Sequence, residues 1–245
     1  MKETSMETIS GPNPVASQTA LSPSGLGNGL SPLTRWLLGC ALVGALLFTG
    51  AYLIEGVTRP GYDAWQQPIS ALSLGPGGWM QQVNFVVFGV LLVLSAPGWY
   101  RLLRPERAAI WFPLLQVISG LSLVGAGLFS MDPFPGYPPG AVPTASTEHG
   151  ALHGIFAYTI IFTLALGCFA LAAHFAREPH WRGWAVYSGV TGGLILFFWW
   201  RFVENATGPV GGLVERLSAG SHALWLCLLV ATLLFRKRPA VDTPK

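Results

Sequence analysis

The sequence predicts an all-α protein, a six-transmembrane-helix bundle with both termini cytoplasmic. Three observations carry this expectation. Hydrophobic residues make up 51% of the 245 and charged ones only 10%, against roughly 25% charged in soluble domains. The apolar residues gather into six runs, each close to the roughly 20 residues that a helix needs to cross a bilayer interior, where nothing satisfies an open backbone. Eleven of the fourteen Lys and Arg residues fall on one side of those runs, the asymmetry that marks cytoplasmic loops.

Residues 1–33 are rich in Ser, Thr, Pro, Gly and Asn, with too little apolar surface to offset the entropy of ordering, and are expected to form a disordered cytoplasmic tail. They lack the charged start and early apolar core of a secretory signal, so the first span is expected to stay attached as an anchor. The membrane domain is expected over 34–236, with spans near 36–55, 79–101, 108–130, 150–175, 184–203 and 219–235. A basic cytoplasmic tail, 237–245, follows. Trp79, Trp99, Trp111, Trp181 and Trp184 lie near span ends, where amphipathic rings suit the headgroup region.

The basic side holds Lys2, Arg35, Arg101, Arg104, Arg107, Arg177, Arg182, Arg236, Lys237, Arg238 and Lys245; the other side holds Arg59, Arg201 and Arg216. The even number of spans independently places both termini on one side. A net charge of +3 scattered in small groups between apolar runs forms no nucleic-acid patch. Cys40, Cys168 and Cys227 all sit inside apolar runs, where a thiol behaves as a small hydrophobe, and they imply neither a disulfide framework nor a zinc knuckle.

The chemistry collects on the side opposite the basic turns. Six of the eleven acids lie there, Glu55, Asp63, Asp132, Glu148, Glu204 and Glu215, with His149, His153, His222 and the three remaining arginines. Ionisable groups so close to lipid normally face the bundle interior or water. A polar pocket at the outer leaflet is therefore expected, built from Asp132, His153, Arg216 and His222, with Ser70 and Asn84.

His149 and His153 stand four residues apart, a spacing that presents two imidazoles on one helix face. With His222 and Asp132 they could hold a zinc ion whose bound water reacts near neutral pH, Glu148 or Glu215 acting as general base. The same stretch, STEHGALHG, also reads as helix-entry chemistry, a polar cap followed by an acid at the positive end of the dipole. Gly150 follows the first histidine where zinc proteases carry Glu, so no metal is the leading expectation.

The outer connections contribute further candidates. Five prolines in MDPFPGYPPGAVP make a rigid connector, and Asp132 needs a partner because an acid at a helix C-terminus opposes the dipole. Residues 68–74 of the first loop predict a short interfacial helix capped by GPGG, with Ser70 near the mouth but without the elbow of a serine hydrolase. Arg216 could hold a carboxylate or phosphate, with Asp132 as its plainest partner. Arg201 and Glu204 are spaced to pair, and Glu55 with Arg59 reads as a helix-end anchor. The span interiors hold a few Ser, Thr and Gln and no charge at mid-depth, which disfavours an ion-coupled transporter.

GYD…ISALSLGPGGW before the second span, Asn84-Phe85 within it, LFSMDPF closing the third, Gly150 three residues before His153 and GGLVER before the sixth appear in a fixed order. In these motifs the chain, over about 36–236, resembles a family of bacterial membrane proteins, domain of unknown function 998. The resemblance implies the six-span topology and a bacterial cytoplasmic (inner) membrane, and no reaction. It also makes His153 the more typical of the two histidines, narrowing the expected pocket to His153 with Asp132 and Arg216 as partners. The leading functional expectation is binding of a lipid headgroup or small anionic ligand. The alternatives are a metal-dependent intramembrane hydrolase acting on a lipid amide or ester, and a structural or partner-binding membrane subunit. Membrane lipids are the expected surroundings.

Overall fold

The computed structural model describes residues 30–104, 107–142 and 145–235. The tail expected over 1–33 lies outside the described residues except for 30–33, as do the basic tail 237–245 and Arg236. Six helices, each long and apolar enough to cross a membrane, make up about three quarters of the described chain. They are α1 (Pro32–Thr58), α2 (Gly78–Leu103), α3 (Ala108–Leu128), α4 (Glu148–Phe175), α5 (Arg182–Glu204) and α6 (Gly211–Phe235).

Local chemistry sets the first boundary. Ser31 caps α1, its Oγ accepting from the Thr34 amide at 3.2 Å, and Pro32 fills the first turn, where its missing amide costs nothing. Each helix packs on the next in sequence, and α6 packs back on α1, so the six close into a ring. The α2–α3 contact is the most intimate: a methyl group on either Gly89 or Gly120 would strike the other's carbonyl oxygen. Lipid supplies no hydrophobic drive between helices, and close approach of small residues provides contact in its place.

Toward the end of the bundle that carries the termini, the axis of the ring is filled by aromatic rings. Trp99 stands edge-on to Phe112 with centroids 4.8 Å apart, and Phe112 meets Trp225 at 6.3 Å. The Trp225 indole N–H donates to Ser188 Oγ at 2.9 Å, so the buried ring leaves no unpaired donor.

The other end carries the two long connections, 59–77 and 129–147, and a short one, 205–210. The first includes the short helix expected over 68–74, which forms as a 3-10 helix, Ile69–Ser73, with Ile69 and Leu72 buried in the bundle. The sixth helix departs from expectation. It begins at Gly211 rather than near 219, so GGLVERLS is helical. Two of its otherwise open N-terminal amides, Gly212 and Leu213, donate to the Gln66 and Trp65 carbonyls, each at 3.0 Å.

Candidate functional site

The docking of the first connection onto α6 organises the loop end of the bundle. Gly212 is required by close approach, because a side chain there would meet the Gln67 and Ala64 carbonyls. One turn on, Glu215 Oε2 accepts from the Ile69 amide at 2.6 Å. Arg216 donates to the Gln67 and Gly212 carbonyls, both at 2.9 Å, and to the Tyr62 hydroxyl. Tyr62 itself reaches the Gln67 and Pro68 carbonyls at 3.0 and 2.9 Å. Burial raises its phenol well above the ordinary value, and the nearby Arg216 charge only partly opposes this, so Tyr62 stays a neutral donor.

Arg59 fastens the other end of the same connection. It pairs with Glu55 one turn earlier in α1, and it donates to the Pro76 and Gly77 carbonyls at 2.8 and 3.0 Å. Both charged side chains are buried. The anchor expected from the spacing of Glu55 and Arg59 therefore also holds the turn that leads into α2.

Beneath Ile69 and Ser70, on the axis of the ring, lies a cavity of about 80 Å³ to which all six helices contribute. Its walls are apolar, with Phe48, Phe85 and Phe88 among them. Its polar groups are Ser70, Glu215, Ser218 and His222, together with the indole of Trp199. Ser218 Oγ donates to the Ile195 carbonyl at 2.9 Å. Trp199 Nε1 is buried with no acceptor. His222, 3% exposed, has a ring contact with Trp225 and no hydrogen-bond partner among the described residues.

Of the six residues expected to form a pocket, the structure brings Ser70 and His222 to this cavity. The others have separate partners. Asn84 donates to the Phe48 carbonyl at 3.1 Å and joins α2 to α1. His153 Nδ1 lies 2.7 Å from the Phe129 carbonyl and 3.2 Å from that of Ala126, which places its proton on Nδ1 and caps the open end of α3. Asp132 accepts from the Thr147 amide at 3.0 Å and the Thr147 hydroxyl at 2.6 Å, while Thr147 caps α4 through the Gly150 amide. These bonds from Thr147, the hydroxyl's foremost, lower the Asp132 carboxyl below its ordinary value.

The partners expected for His153, Asp132 and Arg216, thus make their hydrogen bonds elsewhere. His149 is exposed and stands edge-on to Phe129 at 5.2 Å. Among the described residues no group of three His, Cys, Asp or Glu side chains converges, so His149, His153, His222 and Asp132 do not assemble into the zinc set considered from sequence. Arg201 and Glu204 pair at 2.7 Å as their spacing suggested.

The sequence offers Glu215 only as a general base and does not point to Ser218, Trp199, Phe48 or Phe88 as cavity residues. A signal for the first two was present. Glu215, Ser218 and His222 fall at i, i+3 and i+7, one face of a helix, but reading GGLVER as loop hid the stripe.

A family model for proteins of unknown function (DUF998) matches residues 42–232. No curated protein and no solved structure matches the chain.

Proposed function

The chain belongs to the DUF998 family of proteins of unknown function, and taking it as a multi-pass membrane protein of that family, we propose that it binds a small amphiphile, or the polar end of a lipid, in the central cavity. The observation that carries this reading is that two of the residues lining the cavity, Trp199 through its Nε1 and His222, have polar groups with no hydrogen-bond partner among the described residues. A buried donor left unpaired costs about 1–3 kcal/mol, and a ligand oxygen accepting from the indole would remove that penalty.

The lining favours a neutral polar end, a hydroxyl or carbonyl. Among the described residues no arginine or lysine lines the cavity to attract an anion. A lipid headgroup phosphate or other small anionic ligand, the reading drawn from Arg216, would have to displace Tyr62 and two carbonyls from the guanidinium. At about 80 Å³ the cavity is smaller than the 150 Å³ engineered one that holds benzene. It suits one end of a lipid with a few attached carbons. In this reading the termini face the cytoplasm of a bacterial cell, as the charge asymmetry requires, and the cavity lies in the outer leaflet.

The test is mass spectrometry of small molecules and lipids that copurify with the protein. Ala219 lines the cavity, and Ala219→Phe fills it. We expect a species present with the wild type to be lost from a folded Ala219→Phe variant and weakened by His222→Phe. An identical set of copurifying species in all three proteins refutes the proposal, and would favour the structural or partner-binding reading.

A further inference from the structure

At the end of the bundle that carries the termini, α1, α2 and α6 leave a groove of about 650 Å³ that shares no lining residue with the central cavity. Its volume falls within the range of sites that take drug-sized ligands, roughly 300–1,000 Å³. Trp36, Gly39, Val43, Leu91 and Leu234 give it apolar walls, and Arg35 lies among them. Beside Gly39 the groove is open, since a methyl group there would meet nothing within 4 Å. Trp36 is 78% exposed and Phe235, at the rim, 74%, so the groove faces outward to the surroundings of the bundle.

We infer that this groove is a binding site for an anionic phospholipid. In a bilayer an acyl chain lies along such an apolar trough, since an empty one forfeits dispersion contacts on every wall. Charge decides which lipid. The Arg35 guanidinium has no acidic partner among the described residues, and its planar fork matches a phosphate bidentately. The sequence runs on from Phe235, which lines the groove, directly into Arg236, Lys237 and Arg238. Basic residues beside a helix end attract anionic lipid. Trp36 takes the headgroup level, and the eight steps from Arg35 to Val43 carry the chain about 12 Å along the helix.

The experiment is native mass spectrometry of the full chain, titrated with phosphatidylglycerol and phosphatidylcholine bearing the same acyl chains. The wild type is expected to retain one phosphatidylglycerol in preference to phosphatidylcholine. Arg35→Gln should weaken that equivalent about fivefold, as loss of one basic group near a membrane surface implies, and Arg35→Lys, which keeps the charge without the fork, should weaken it less. Gly39→Leu, which projects a side chain into that space, should remove it. Equal uptake of the two lipids by the wild type overturns the proposal. So does an unchanged preference in Arg35→Gln, or retention of the lipid by a folded Gly39→Leu variant, which would assign the preference to diffuse charge. The central cavity has no part in these outcomes, so failure here leaves the preceding proposal standing.

Discussion

Gly212→Ala is the smallest change that should undo the docking of the first connection onto α6. The added methyl would sit 2.7 Å from the Ala64 carbonyl oxygen and nearer still to that of Gln67, so helix and loop must separate. Overpacking of this kind costs about 1–3 kcal/mol, and the two amide bonds to Gln66 and Trp65 contribute about 1 kcal/mol each. The better helix propensity of alanine returns up to about 1 kcal/mol. The net loss is about 2–4 kcal/mol. Gly193→Ala is the control, because that glycine lies within α5 with open space around it, and alanine there should be neutral or stabilising by about 0.5–1 kcal/mol. Thermal unfolding in detergent should rank Gly193→Ala at or above wild type and Gly212→Ala well below. Hydrogen exchange should quicken over residues 63–74 in Gly212→Ala alone. Equal stability with unchanged exchange in that connection would refute the docking account.

Arg59→Ala leaves Glu55 buried without its counter-charge and two carbonyls without a donor, a loss of about 3–5 kcal/mol; the double variant with Glu55→Gln should recover part of it in the same unfolding assay, and no recovery would contradict a buried pair. Asp132 sets a pH dependence whose sign follows from its lowered pKa: its contribution is complete above the ordinary value of 3.8 and is lost as pH falls through the lower folded value. Wild type should therefore lose stability relative to Asp132→Asn only in strongly acidic buffer, and a constant difference across the whole acid range would show that the carboxylate's bonds to Thr147 are not made.

The six spans were legible because each is a long apolar run, and a bilayer admits only helices or closed barrels from such runs. Nearby pairs were legible too: Arg201 with Glu204 and Glu55 with Arg59 follow from spacing along one helix. The start of α6 was not. The two glycines disfavour a helix start and outweigh the stripe of Glu215, Ser218 and His222, and the helix is extended there by carbonyls from residues about 146 positions earlier in the chain. The same separation hid the partners of Arg216, whose bonds to Tyr62 and Gln67 span 154 and 149 positions. Asp132 is legible as an acid at a helix C-terminus that needs a partner, whereas His153 stands out in the sequence by its spacing to His149, which says nothing of the α3 carbonyls it meets. Those partners are the adjoining helix ends, and backbone acceptors are invisible in a list of side chains.

The aromatic column of Trp99, Phe112 and Trp225 has a consequence for traffic. It closes the axis of the ring on the termini side, with His222 resting against Trp225 at 5.7 Å. A ligand held in the proposed cavity would therefore meet packed rings on the termini side, and its passage through the bundle in that direction would require Trp99, Phe112 and Trp225 to part.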